Sequence, residues 1–124
     1  DVADLIAACD FVIHPSREDA LPTALISALA ASRPIVATSA GGIPDIVSPG
    51  CGILVPPGRP SELGTAIVKM VETISNDATS SHRLQRAARK LYETRFSAHT
   101  WAHELRQQYE DVLQGWNRIP KRTT

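Results

Sequence analysis

Three short apolar segments alternate with loops and a helical pattern in the first half of the chain, and this alternation constrains the fold more than any other feature. The segments are Phe11–Ile13, Ile35–Ala37 and Ile53–Val55. Continuous apolar runs of this length are typical of strands buried on both faces of a parallel sheet. Between the first two lies a helical pattern that we expect to begin at Pro22, because proline suits the first helical position. The sequence therefore predicts an α/β fold built on a βαβ unit.

The same alternation predicts how the strands are arranged. We expect three adjacent parallel strands, right-handed crossovers between them, and helices on both sides in a three-layer arrangement. Loops 15–21 and 38–44 follow the first and second strands. Because the carboxyl ends of parallel strands meet at one edge, these loops should open onto that edge, where such sheets bind ligands.

The second half of the chain has helical periodicity. An amphipathic helix is predicted from Pro60, followed by a polar linker at 75–81 and a basic helix at 82–95. Ser97 is a suitable N-cap for a last helix. We expect Trp101 on that helix to be unusually exposed for its size.

The composition excludes several classes of function. With 43% apolar and 21% charged residues, formal net charge zero and a pI near 7.1, the chain has no electrostatic case for binding nucleic acid. Of the four histidines, His99 and His103 share a helix face, but no acid or cysteine cluster completes a metal site. We therefore predict neither metal nor cofactor. Cys9 and Cys51 are expected to be two buried thiols, with nothing to support a disulfide.

Four segments carry a resemblance to a known family. Residues 15–22 read P-S-R-E-D-A-L-P, 27–30 read S-A-L-A, 38–45 read T-S-A-G-G-I-P-D, and 50–58 read G-C-G-I-L-V-P-P-G. Together they closely resemble the nucleotide-sugar-binding half of retaining GT-B glycosyltransferases of the group 1, or family 4, class. The resemblance implies a partial Rossmann-like, GT-B C-terminal domain with a three-layer parallel sheet followed by C-terminal helices.

The resemblance also implies a division of the chain, which we expect to be a fragment. Residues 1–95 correspond to the latter part of the nucleotide-sugar-binding domain. Residues 96–113 form a C-terminal helix expected to cross toward a missing N-terminal Rossmann domain, and residues 114–124 a flexible tail. The basic residues that neutralise the leaving diphosphate in the family precede residue 1, so the chain alone is predicted to be inactive.

In the family, two glutamates eight positions apart contact the donor sugar and the ribose. This sequence has Asp19 at the first position, implied to be catalytic, and Ser27 at the second. Losing a charged hydrogen bond at Ser27 weakens affinity by about 1.5–3 kcal/mol, or roughly 10- to 150-fold. A register that uses Glu18 and Ile26 is disfavoured by the A-L-P spacing. The implied substrate-binding positions are Ala20, Leu21, Pro22, Thr23, Ala24, Ser27, Gly41 and Gly42.

Simpler interpretations of these positions remain open. Asp19 alone is compatible with a charge that only stabilises the helix dipole, and Ser27 with a plain helix-face hydroxyl. A Gly41-Gly42 pair alone is a turn in most proteins, although glycines also permit close approach of a ligand to the backbone. His14 is interpreted as a structural residue.

The function implied by the resemblance is transfer of a sugar, with retention, from a nucleotide-sugar donor to an acceptor hydroxyl on a sugar, a lipid-linked molecule or a small molecule. The alternatives are a nucleotide-sugar epimerase of the same architecture and a non-catalytic relative or partner subunit. We expect a cytoplasmic enzyme. The helix at 82–95 carries four basic residues, Arg83, Arg86, Arg89 and Lys90. They are interpreted as a solvated face. The alternative is a membrane-surface patch, which would make the enzyme peripheral at the membrane.

Overall fold

The computed structural model describes residues 1–117, in which three parallel strands form one sheet. Strands β1 (Val12–His14), β2 (Ile35–Thr38) and β3 (Gly52–Val55) are adjacent in that order. In the register, Val12 pairs with Ile35, which in turn pairs with Gly52. The predicted strands are therefore confirmed in place and direction, with bounds that differ by one residue.

Helices precede, connect and follow these strands. They are α1 (Val2–Ala8), α2 (Thr23–Ala30), α3 (Ile43–Ile46), α4 (Pro60–Asn76), α5 (Ala78–Leu91), a π-helical turn (Tyr92–Phe96) and α6 (Ala98–Asn117). Helix α2 begins one residue later than predicted, because Pro22 is the N-cap with an extended ψ of 94°. The basic helix predicted at 82–95 begins earlier, at Ala78, and ends in the π-helical turn.

Strand β2 divides the core into two layers, because successive side chains of a strand point to opposite faces. Ile35 and Ala37 lie in a cluster with α2, α3 and α5. Val36 lies on the other face, in a cluster that includes Ala66 and Met70 of α4. Helices thus cover both faces of the sheet, which confirms the predicted three-layer arrangement.

The polar linker predicted at 75–81 is wrong. A single residue, Asp77, separates α4 from α5 and is the N-cap of α5. Its Oδ1 accepts a hydrogen bond from the Ser80 backbone N–H at 3.0 Å. Side-chain and backbone hydrogen bonding with Ser80 lowers the pKa of Asp77 below its ordinary value. The polar residues of this stretch therefore start a helix, which is what aspartate favours at an N-cap.

The two cysteines also differ from expectation. Cys51, immediately before β3, is buried as predicted, whereas Cys9 is exposed, and neither cysteine forms a disulfide. Helix α1 leaves Val2 and Leu5 about two-thirds exposed, and only Ile6 packs on the core. The apolar periodicity of α1 therefore does not bury Cys9.

Helix α6 begins where the sequence predicted. The Ser97 Oγ accepts a hydrogen bond from the Thr100 N–H at 3.1 Å, which confirms Ser97 as the N-cap. Trp101 is 62% exposed, as expected. The helix includes residues 114–117, the first part of the predicted tail. The rest of that tail, 118–124, lies outside the described residues, and the crossing of α6 toward another domain stays a prediction.

Candidate functional site

Two loops meet at the carboxyl edge of the sheet, one after β1 and one after β2. The Gly42 N–H donates a hydrogen bond to the Asp19 carbonyl at 2.9 Å. The buried Thr38 hydroxyl, at the end of β2, donates to the carbonyl of Ser16. The two predicted site loops therefore share one edge and are hydrogen-bonded to each other.

Gly41 and Gly42 make this contact possible. A Cβ on Gly41 would overlap the carbonyl of Asp19, and a Cβ on Gly42 would overlap the carbonyl of Ala20. Gly41 also has a φ of +51°, a conformation that other residues adopt rarely. The two glycines are thus explained by the approach of one loop to the other, whereas a role toward a ligand stays a prediction.

Asp19 is held by His14. The His14 Nε2 and the Asp19 Oδ2 lie 3.0 Å apart, and their side chains are 23% and 28% exposed. His14 ends β1 and Asp19 lies five residues later, so the loop folds back on the strand end. This pairing fixes the direction of the carboxylate. This role of His14 was not predicted from the sequence, where its only signal is an acidic residue five positions after a histidine at a strand end.

Helix α2 presents its N-terminus at the same edge. Pro22 makes no side-chain cap, and Leu25 N–H bonds to the Pro22 carbonyl at 3.0 Å. Among residues 1–117, the backbone N–H groups of Thr23 and Ala24 have no hydrogen-bond acceptor. Unpaired N–H groups at a helix N-terminus, with the positive end of the helix dipole, form a favourable environment for an anion.

Ser27 lies one helical turn after Thr23 and is exposed. Its Oγ donates a hydrogen bond to the Thr23 carbonyl at 3.2 Å. Because this hydrogen bond uses the hydroxyl proton, the Ser27 hydroxyl can only accept a hydrogen bond from a ligand. Ala20 and Leu21 are also exposed in the loop before α2, with Leu21 at 59%. The predicted site residues thus gather around the N-terminus of one helix and the loop beside it.

The described part of the chain offers neither a cluster of metal ligands nor a helix suited to spanning a bilayer. Within residues 1–117, no group of three or more histidine, cysteine, aspartate or glutamate side chains is placed to hold a metal ion. Among the helices described, none combines the length and the apolar character that crossing a bilayer requires.

Comparison with known proteins identifies a family and several relatives. Residues 1–73 match the family described as glycosyl transferases group 1. The chain is 27% identical over 113 residues to an uncharacterised glycosyltransferase of Methanocaldococcus jannaschii, and the match covers 90% of this chain and 31% of the relative. It is 30% identical over 114 residues to a D-inositol 3-phosphate glycosyltransferase of Corynebacterium kroppenstedtii, covering 91% of this chain and 24% of that protein.

The solved structures that resemble the chain include the HepE protein of Anabaena in complex with UDP-glucose. That structure superposes with a TM-score of 0.71 at 27% identity, and the match covers 92% of this chain and 30% of HepE. The chain thus spans about a quarter to a third of the relatives it matches.

Proposed function

Because this chain belongs to the group 1 glycosyltransferases, we propose that it forms part of the donor site of a retaining enzyme of the family 4 type. The protein would transfer a sugar from a nucleotide-sugar donor to an acceptor hydroxyl. The observation that carries this proposal is the position of the half-buried Asp19 carboxylate beside the open N-terminus of α2 at the carboxyl edge of the sheet.

In this proposal the diphosphate of the donor lies at the N-terminus of α2. The N–H groups of Thr23 and Ala24 donate to its oxygens, and the helix dipole favours its negative charge. These are backbone groups held by a helix that buries three side chains completely. They need no rearrangement as charge builds up on the leaving diphosphate, so they stabilise the transition state as well as the bound donor.

Asp19 is proposed to contact the transferred sugar. His14 engages its Oδ2, and within the described residues its Oδ1 has no hydrogen-bond partner. A carboxylate oxygen accepts hydrogen bonds from sugar hydroxyls, and a hydrogen bond to a charged group contributes about 1.5–3 kcal/mol. Because His14 already holds Oδ2, the Asp19 side chain loses little conformational entropy when Oδ1 accepts a hydrogen bond from the sugar.

The ribose of the donor is proposed to lie near Ser27, four residues after Thr23 on the same side of α2. The Ser27 hydroxyl accepts one hydrogen bond there, where a glutamate would accept two with full charge. We therefore propose a weakened ribose contact and a lower affinity for the donor than a glutamate would give.

The remaining parts of the transfer belong to the whole protein. An N-terminal Rossmann-like domain is proposed to bind the acceptor, and α6 to cross toward it with Trp101. The acceptor oxygen would attack on the same face as the leaving diphosphate, which takes up the acceptor proton. Residues 1–124 alone would be inactive. That HepE was crystallised with UDP-glucose supports a nucleotide sugar as the donor.

The alternatives have less support. The two relatives described above are named as glycosyltransferases, neither of them as an epimerase or a partner subunit. The half-buried His14–Asp19 pair at an open helix terminus also favours a working ligand site over a non-catalytic relative.

The test compares Asp19→Asn with Glu18→Gln in the full-length protein that carries this chain. Both changes remove one carboxylate from the same loop, but the exposed Glu18 has no partner for its side chain within residues 1–117. We expect Asp19→Asn to lower kcat/KM with UDP-glucose by roughly 10- to 100-fold, as for loss of a charged hydrogen bond. Glu18→Gln should change it less than about twofold. Equal losses of kcat/KM in the two variants would mean that the carboxylates act only through their long-range charge. A loss in Glu18→Gln alone would mean that Glu18, and not Asp19, contacts the sugar.

A further inference from the structure

A second feature of the carboxyl edge is a cleft on the α4 side of the sheet, with a volume of about 210 Å³. The loops after β1 and β3, the last residue of β2 and the first turn of α4 contribute to it. Its lining residues are Pro15, Arg17, Thr38, Gly58, Arg59, Pro60 and Leu63. None of the residues proposed to bind the donor lines this cleft, so it is a separate space on the same edge.

Two arginines reach the cleft from different loops. Arg17 follows β1, and among the described residues its side chain has neither a hydrogen bond nor an ion pair. Arg59 is 69% exposed and lies 4.0 Å from the nearest carboxylate oxygen, on Glu62. An exposed pair at this distance contributes little, which leaves the Arg59 guanidinium available to another anion.

The rest of the lining limits what that anion can be. Pro15, Pro60 and Leu63 form an apolar wall. The volume is far above the roughly 10–15 Å³ that one water needs and below the roughly 300–1,000 Å³ of pockets for drug-sized ligands. The Thr38 hydroxyl donates to the Ser16 carbonyl, so the free donors of the side chains are those of the two arginines. The cleft therefore suits one phosphate group attached to a small organic body.

We propose that this cleft binds a small phosphomonoester, such as a phosphorylated sugar, through Arg17 and Arg59. Guanidinium groups form paired, charge-assisted hydrogen bonds with phosphate oxygens, and two of them balance a dianion. This ligand would lie on the same edge as the donor but in a separate space, whereas the acceptor is proposed to bind the N-terminal domain. Binding of the anion therefore does not rest on the proposed function.

The experiment titrates the full-length protein with glucose 6-phosphate, inorganic phosphate, glucose and UDP, by calorimetry at low ionic strength. Arg17→Gln and Arg59→Gln are compared with Arg86→Gln, which removes an exposed arginine of α5 outside the cleft. We expect glucose 6-phosphate to bind about 5- to 20-fold more weakly to each cleft variant and with unchanged affinity to the control. Glucose should not bind, inorganic phosphate should bind more weakly than its ester, and salt should weaken both anions.

UDP separates the two proposals. We expect both cleft variants to keep UDP affinity within about twofold of the wild type, and UDP to leave glucose 6-phosphate bound. Wild-type affinity for glucose 6-phosphate in both cleft variants, competition by UDP, or equal affinity for inorganic phosphate would overturn the second site. If glucose 6-phosphate binds as expected and UDP does not bind at all, the donor proposal fails while the cleft proposal stands.

Discussion

Helix α2 has eight residues and buries three of them completely, whereas helix α6 has twenty residues and buries none of those described at 98–115. The buried residues of α2 are Leu25, Ala28 and Leu29, each at 0% exposure. In α6, Trp101, Tyr109, Val112 and Leu113 are all more than 60% exposed. The short helix that carries the candidate site is fixed by the core, and the long one is stabilised mainly by its own backbone hydrogen bonds.

This difference has a physical consequence for function. Helix stability in proteins comes chiefly from packing of an apolar face, and isolated helices are marginal in water. Packing therefore holds α2 in a fixed position, so that the unpaired N–H groups at its N-terminus keep a fixed direction. Helix α6 presents an apolar face without a partner in the described chain. The two regions should therefore differ in stability and in their capacity to hold a ligand site.

The largest effect is expected from truncating one leucine in each helix. Leu29→Ala removes a fully buried side chain and should lower the free energy of unfolding by about 2–5 kcal/mol. Leu113→Ala removes a side chain that is 62% exposed and should change it by less than about 0.5 kcal/mol. Urea denaturation of both variants, made in the chain of residues 1–124 by itself, measures the difference. Similar losses in the two variants would mean that α6 is packed in solution and that the comparison is wrong.

Next in size is the contact between the two site loops. In Gly42→Ala the new Cβ meets the Ala20 carbonyl, and we expect a loss of about 1–3 kcal/mol in the free energy of unfolding from the forced shift. Gly64→Ala is the matched control, because nothing lies within 4 Å of its Cβ position on α4. It should stabilise the chain by about 0.5–1 kcal/mol through helix propensity. Urea denaturation should therefore show a lower free energy of unfolding for Gly42→Ala and a higher one for Gly64→Ala. An unchanged free energy in Gly42→Ala would contradict a tight contact between the loops.

Much of the well-packed region could be predicted from sequence. Strands β1, β2 and β3 were predictable from their apolar runs, but the expected burial on both faces holds fully only for the central strand β2. Strand β1 lies at the edge of the sheet and leaves Ile13 43% exposed. That the two site loops share an edge follows from parallel strand direction. The His14–Asp19 pair could not be predicted, because it depends on how the loop after β1 folds back. The same holds for the cleft that Arg17 and Arg59 line, because the two arginines come from loops that lie far apart in sequence.

The predictions that failed concern surface segments, where composition is a weaker guide. Residues 75–81 are polar enough for a loop, but Asp77 as an N-cap turns them into the start of a helix. The periodicity of α1 predicted a buried face for Cys9, and only Ile6 of that helix packs on the core. Periodicity shows which residues share a face, but it does not show whether another element covers that face.

A smaller effect tests ligand binding in the well-packed region. Ser27→Glu should tighten UDP-glucose binding by about 1–2 kcal/mol, or roughly 5- to 30-fold, because it restores a two-oxygen acceptor at the proposed ribose position. Thr65→Glu is the control. Its hydroxyl also donates to the carbonyl four residues earlier, at 3.0 Å, but on α4. Titration of the full-length protein should show no gain for this control. If Ser27→Glu weakens binding, the donor does not place its ribose beside α2.

The smallest effect is expected at the start of α6. Ser97→Ala removes the N-cap hydrogen bond to Thr100, which contributes about 1 kcal/mol to a helix. Because α6 packs little on the rest of the chain, this loss should appear as local opening and not as global unfolding. Amide hydrogen exchange in α6 should then be about fivefold faster, since 1 kcal/mol corresponds to roughly that factor. Exchange of the β2 amides and the urea midpoint should stay unchanged.

The control is Ser75→Ala, which changes an exposed serine of α4 and should leave the exchange rates of the α6 amides unchanged. If Ser97→Ala instead shifts the urea midpoint together with the α6 exchange rates, α6 unfolds with the core. Helices α2 and α6 would then differ in how much of their surface is exposed, but not in their stability.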